Sequence, residues 1–167
     1  MIKAIVHADK NWGIGKNNDM MFSLPQDMKY FRATTLNHTV VMGGNTLRSF
    51  PGGNPLKNRV NIVLSRGYVR DDCVFVRSYD ELKSEMKKRG ETDDVYVIGG
   101  GAVYKELLPY CDEVLVTKVD AVGDAEVFFP NLDEMDDFTC VDEGTPIEDN
   151  GYIIRFTKYV NKAVKPL

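Results

Sequence analysis

The chain lacks the marks of several large classes of protein. Nothing in its 167 residues approaches the roughly 18 consecutive apolar residues that a membrane helix needs. The opening "MIKAIVHADK" has no long apolar segment of the secretory kind, so a cytoplasmic protein without a membrane partner is expected. Positive charge is not in surplus either. Lys and Arg number 21 against 25 Asp and Glu, a balance that argues against nucleic acid as a partner while leaving room for a small basic pocket around one phosphate. The cysteines, Cys73, Cys111 and Cys140, are three and widely spaced, which excludes a disulfide framework and a zinc pattern. Besides them stand two histidines, His7 and His38, so no metal site is expected. No repeat, low-complexity tract or linker interrupts the chain. Its length suits one domain over 1–167 and is short for two.

What is present is a series of short Val- and Ile-rich runs: "KAIVHA" (3–8), "TVVMG" (39–43), "RVNIVLS" (59–65), "CVFVRS" (73–78), "DVYVIGG" (94–100) and "EVLVTKVD" (113–120). Continuous apolar runs of this length suit strands covered on both faces. Helical segments fall between them, at 25–35, about 45–50, 78–90 and about 101–108. In the third, Ser78 and Glu81 form a capping box and Gly90 a stop. Strand and helix in alternation predict an α/β fold, with a central, mostly parallel twisted sheet of about eight strands and about four flanking helices. The tail departs from this pattern. "FTCVDEGT" and "GYIIRFTKYV" around "PIEDNG" read as an antiparallel hairpin that finishes the sheet.

Two strand-to-helix turns look alike: "GGNTLRSF" follows "TVVM", and "GGGAVYKELL" follows "VYVI". Glycine there lets a ligand approach the backbone, and the following helix offers unpaired N–H groups toward a phosphate. Tight strand-to-helix packing explains either turn equally well. Two of them on the carboxyl edge of a parallel sheet, where open α/β sheets bind ligands, favour a pyrophosphate between them. Neither matches the dinucleotide fingerprint or the P-loop. On the same edge "NIVLSRG" ends in Ser65 and Arg66, a hydroxyl and a guanidinium that could clamp a phosphate monoester such as the 2′-phosphate of NADP.

The remaining feature is Asp27, in "MFSLPQDMKYFRATTL". Acids are favoured in a first helical turn, but Ser23 and Gln26 already fit the capping box S/T-x-x-E/Q. On a helical wheel Leu24, Met28, Phe31 and Thr35 form an apolar stripe with Asp27 on its edge. From that edge a carboxylate can accept two parallel hydrogen bonds from an amidine-like pair on a heterocycle. The stretch at 7–22 ahead of it, rich in Gly, Asn and Asp, is expected to be irregular and to act as a lid.

With these residues in view the chain resembles the bacterial dihydrofolate reductases over nearly its whole length. "GIGKNN", "LPQDMKYFRATTL", "VVMGGNT", "NRVNIVLSR", "VYVIGGGAVYKELLP", "VTKVDA" and "FFP" occur in that family's order and close to its spacing. The resemblance implies reduction of dihydrofolate to tetrahydrofolate with NADPH, antifolate inhibitors as further ligands, and a monomer. It implies that Asp27 holds the pterin 2-amino group and N3 and favours protonation at N5, with water carrying the proton. Ile5, Val6, Phe31 and Ile98 match pocket positions, Thr117 the hydroxyl behind the carboxylate, and Arg59 the cation for the glutamate tail. On the cofactor side the matching positions are His7 through its backbone, Ile14, Gly15, Asn45, Thr46, Ser65, Arg66, Gly99, Gly100, Gly101, Ala102, Val103 and Tyr104. Arg77 fits an adenine-side cation, and Glu126 an acid that helps hold the lid.

Four positions depart from the family's pattern. Phe22 stands for Trp and Met21 for Pro, which removes an indole N–H near the proton path. Gly44 and Ala102 stand where Arg is common, which thins the contacts to phosphate. Two other readings share part of the pattern. A reductase of a ribityl-aminopyrimidine in flavin synthesis has the fold and the glycine turns, but its substrate has no use for Asp27 or Arg59. A nucleotide-binding module without catalysis explains the turns and leaves Asp27, Phe31 and Arg59 without a shared purpose.

Overall fold

The computed structural model describes residues 1–17, 19–67 and 69–167, so Asn18, inside the stretch 7–22, lies outside the described residues. The Val- and Ile-rich runs form β1 (Ile2–Ala8), β3 (Thr39–Gly43), β4 (Val60–Leu64), β5 (Val74–Val76), β6 (Val95–Gly99) and β7 (Glu113–Val119). All six are parallel, in the order β7-β1-β6-β3-β4-β5. Among the described residues nine strands make up the sheet.

The antiparallel end is built from β9 (Phe138–Asp142), β10 (Ile147–Asp149) and β11 (Tyr152–Asn161). β11 lies against β7 on one side, and β10 and β9 share its other side. Here the expected loop "PIEDNG" is corrected. Ile147–Asp149 is itself a strand, and the turn is Asn150-Gly151 alone, with φ of 51° and 86°. Asn-Gly with positive φ at both positions matches the right-handed twist of a hairpin, so the tighter turn wins. A second pair, β2 (Gly13–Gly15) with β8 (Val127–Phe128), was not expected, because strands this short leave no alternation to read.

The helices are α1 (Pro25–Thr35), α2 (Gly44–Ser49), α3 (Tyr79–Gly90) and α4 (Gly101–Leu107). Leu82 and Met86 of α3 and Val103 and Leu107 of α4 pack with Val41, Val95, Val97, Val114 and Val116 on one sheet face. Leu47 of α2 and Tyr30 and Phe31 of α1 pack with Ile5, Val40, Met42 and Tyr96 on the other. Both faces are covered, which accounts for the unbroken apolar runs.

Helix ends depart from expectation in two places. Ser78 caps α3 by accepting from the Glu81 N–H at 3.1 Å, but Glu81 answers to the N–H of Arg77, and the helix runs through Gly90. At α1 the Ser23–Gln26 box does not form; the N-cap position is Leu24 and has no side-chain cap. Asp149 of β10 serves instead, its Oδ2 accepting from the N–H groups of Gln26 at 3.0 Å and Asp27 at 3.1 Å. The Gln26 side chain is drawn away to the Glu148 carbonyl, and Asn150 Nδ2 donates to the Ser23 carbonyl. The unforeseen strand is therefore what holds the start of α1.

Candidate active site

The site originates in a split between the two central strands. β1 and β6 pair from Ile2 with Val95 to Ala4 with Val97, and there the ladder stops. β1 continues beside β7 as far as Ala8, while β6 stays with β3 up to Gly99. The Ile5 carbonyl, past the last rung, accepts from the Tyr104 hydroxyl at 2.7 Å. A cleft opens at the carboxyl edge of the sheet, the side on which open α/β sheets bind ligands. Strand alternation then sorts its walls. Ile5 and Ile98 pack on the α1 face, together with Phe31. Val6 packs on the opposite face, so its main chain is what remains for the cleft.

Asp27 sits on the α1 wall and is 8% exposed. Thr117 Oγ donates to its Oδ1 at 2.6 Å, and His7 Nδ1 lies 3.2 Å from Oδ2. His7 and Thr117 are direct cross-strand partners, which places both groups under one carboxylate. The buried acid is thus held by two side-chain donors, and the dipole of the helix N-terminus favours its charge. The wheel is corrected here: Met28 is 48% exposed, and Asp27 itself lies on the buried line with Leu24 and Thr35. His7 is corrected as well, since its side chain, and not its backbone alone, belongs to the acid's surroundings. Its alternation with Ile5 along β1 was the signal available. Burial, and next Asp27, push the phenol of Tyr30 upward.

Arg59 is anchored where α1 ends. Nε donates to Thr35 Oγ at 2.9 Å, Nη1 to the Lys57 carbonyl at 2.9 Å and Nη2 to the Arg32 carbonyl at 3.4 Å. Desolvation, and then the neighbouring Arg32 guanidinium, lower its pKa from the ordinary arginine value. Two guanidiniums near each other at the far end of α1 from Asp27 are a pair that can take up a carboxylate.

The opposite wall carries the glycine turns. Gly99 has φ of 135°, and Cβ atoms built on Gly99 and Gly100 would lie 3.4 and 3.5 Å from Thr46 Oγ. Thr46 thus faces the second turn from the first. A Cβ on Gly44 would stand 3.2 Å from Ser65 Oγ and 3.4 Å from Arg48 Nη1. Ser65 and Arg48 converge on this corner, and Arg48 Nη2 also donates to Asn45 Oδ1. Arg48 did not stand out in the sequence, although its place one turn past Gly44 was readable. Arg66 and Arg77 are exposed on the same edge. Within "GGGAVY", Val103 and Tyr104 are buried in the core and Ala102 is exposed, so the main chain of Gly99, Gly100 and Gly101 forms the rim. Burial drives the Tyr104 phenol far above its usual pKa, which keeps it a neutral donor to Ile5.

The stretch after β1 is more ordered than its composition suggested. Asp9 is buried; its Oδ1 accepts from the N–H of Asn11 and of Gly13, both at 2.8 Å, and its Oδ2 from Gly123 at 2.9 Å. Glu126 accepts from the Asn17 N–H at 2.9 Å and donates its own N–H to the Gly15 carbonyl. Gly15 and half-buried Ile14 are thereby carried on β2, with Ile14 packed against the core. Phe22 closes the floor, its ring 4.9 Å from Tyr152 and 6.2 Å from His7.

An open α/β sheet is thus parted at its centre, with a buried acid on one wall and glycine turns flanked by cations on the other. That geometry can hold a nitrogen heterocycle against the acid and a phosphorylated nucleotide along the glycine turns. Comparison with known proteins narrows it. The sequence model of the family described as dihydrofolate reductase matches residues 1–161. The chain is 34% identical over 165 residues to dihydrofolate reductase of Bacillus subtilis, covering 97% of this chain and 95% of that protein. To the enzyme of Haemophilus influenzae it is 35% identical over 158 residues, covering 91% and 93%. Dihydrofolate reductase from Enterococcus faecalis, solved with NADP(H) and RAB-propyl, superposes with a TM-score of 0.85 at 29% identity and 96% coverage of both chains. The chain belongs to the dihydrofolate reductase family.

Proposed function

We propose that the chain reduces 7,8-dihydrofolate to 5,6,7,8-tetrahydrofolate with NADPH, acting as one domain over 1–167 and as a monomer in the cytoplasm. The observation that carries the reading is Asp27, a buried carboxylate fixed by Thr117 and His7 at the split between β1 and β6. Each oxygen has a lone pair beyond the one already engaged, enough for the paired N–H groups of a pterin. Once bound, that anion favours positive charge on the ring and so protonation at N5, with water as the carrier. Ile5, Phe31 and Ile98 exclude other water from the ring faces. Arg59, beside Arg32, takes the glutamate tail. Flat diaminopyrimidine antifolates present the same N–H pair and fit the same acid.

The rim suits NADPH, because a Cβ at Gly44 would press on Ser65 with Arg48 beside it, and Gly99 holds a φ of 135° that side chains rarely adopt. Bound there, NADPH supplies the hydride. Gly99, Gly100 and Gly101 would lie under the pyrophosphate, with Asn45 and Thr46 opposite. Ser65, Arg48 and Arg66 would hold the 2′-phosphate, Arg77 the adenine side, and Ile14, Gly15 and the His7 backbone the nicotinamide end. Arg48 thereby restores the charge that Gly44 withholds.

Loss of NADPH absorbance on adding dihydrofolate tests the whole reading. Oxidation driven instead by a ribityl-aminopyrimidine would assign the chain to flavin synthesis, and binding without oxidation of either would leave a nucleotide-binding module. Arg59→Ala is expected to raise KM for dihydrofolate about ten- to hundredfold, as for a lost charged hydrogen bond, with kcat little changed. An unchanged KM would return Arg59 to the surface. Arg48→Ala and Arg66→Ala are each expected to weaken NADPH by about 1–3 kcal/mol and NADH hardly at all. Equal losses for the two nucleotides, measured as dissociation constants, would show that the 2′-phosphate is read elsewhere.

A further inference from the structure

Asp27 shares its pocket with a second titratable side chain. His7 Nδ1 lies 3.2 Å from Asp27 Oδ2, and the His7 side chain is 6% exposed. An ionised carboxylate can only accept, so Nδ1 carries the hydrogen and donates it. Nε2, across the ring, then bears a lone pair, and it is buried without a hydrogen-bond partner among the described residues. Packing alone would favour an apolar residue there, because an unsatisfied buried acceptor is costly. We infer that His7 is a positioning residue of the acid centre. Its Nδ1–H fixes Oδ2 of Asp27, and a proton taken up at Nε2 offsets the Asp27 charge, so the site works as a carboxylate–imidazole pair. This rests on the cleft being that of a dihydrofolate reductase.

With His7 neutral, the pair carries one negative charge and Asp27 draws positive charge onto the bound ring. A proton on Nε2 makes the pair neutral overall, and at 3.2 Å an imidazolium cancels most of that pull. The surrounding titratable groups do not take over the role. Asp149 of β10 faces the Asp27 N–H, Tyr152 of β11 packs on Phe22, Tyr104 of α4 donates to Ile5, and Tyr30 of α1 stacks on Phe156. Thr117 of β7 and Phe22 of the loop are uncharged. Among the described residues Asp27 is the one charge in hydrogen-bond contact with the His7 ring.

Ring-nitrogen NMR of the isotope-labelled chain without substrate reads the pairing directly. The sequence has two histidines, and His38→Gln leaves His7 alone. At neutral pH the expected form carries its proton on Nδ1 with Nε2 bare, and Asp27→Ala releases that preference. In single-turnover hydride transfer His7→Asn keeps an N–H donor near the Nδ1 position but cannot titrate, whereas His7→Ala removes both. His7→Ala should be slower by about tenfold at neutral pH, and His7→Asn should recover most of that loss. Toward acid, the parent rate should turn down where His7→Asn continues to rise. A proton found on Nε2 alone at neutral pH, or identically shaped profiles for the parent and His7→Asn, overturns the inference. Should His7→Ala fail to fold, the tautomer and the parent-to-Asn comparison still decide. A chain that never oxidises NADPH with dihydrofolate sinks the reductase reading, while the tautomer still tests the pairing.

Discussion

Asp27→Asn is expected to slow hydride transfer at neutral pH by about 10²–10⁴-fold, the range for loss of a positioned acid–base group. The fold should survive the change. The amide puts an N–H where Thr117 or His7 now donates, but the Thr117 hydroxyl can turn to accept, and imidazole can accept at Nδ1 once its proton moves to Nε2. The stability change should therefore stay within about 1 kcal/mol, separating charge from structure. Without the carboxylate no described acid of the pocket favours positive charge on the ring, so protonation at N5 depends on the acidity of the solution alone. The variant should regain rate steadily as pH falls, and its deficit should be smallest in acid. Stopped-flow measurement across pH shows both features. A neutral rate near that of the parent would remove Asp27 from the mechanism.

The parts of the site that were legible are those in which local pattern and three-dimensional position coincide. The runs "TVVMG" and "DVYVIGG" are buried on both faces and end in glycines, so strand, turn and helix all follow from neighbours in the chain. Asp27 was legible because a wheel places it beside apolar residues, although the wheel chose the wrong companion in Met28, which faces out. What could not be read depends on residues that meet across the sheet. Arg48 comes to Ser65 because β3 and β4 are adjacent and in register, which composition does not report. His7 meets Asp27 because α1 crosses the face to which alternation assigns His7. The split between β1 and β6 was not read from the sequence, since both strands stay apolar beyond the last rung except at His7. At α1 a local rule, the Ser23–Gln26 box, lost to an acid brought from 122 residues away.

That remote acid has the larger consequence for stability. Asp149→Ala is expected to cost about 2–4 kcal/mol, more than an ordinary lost cap, because two donors, one buried and one part-buried, lose their acceptor at once. The accounting at the start of α1 is complete. Pro25 has no N–H, those of Gln26 and Asp27 go to Asp149 Oδ2, and that of Met28 goes to the Leu24 carbonyl at 2.9 Å. Asp149 is 2% exposed, so water cannot replace its carboxylate without opening the β10–β11 turn. The negative charge also sits at the positive end of the helix dipole, which favours it. For a domain of this size the change should lower Tm by about 5–15 °C. Asp149→Asn keeps one oxygen acceptor and should lose less than half as much. Thermal and urea melts of the two variants measure the difference. An Asp149→Ala protein melting with the parent would mean that α1 starts elsewhere, and that the placement of Asp27 owes nothing to β10.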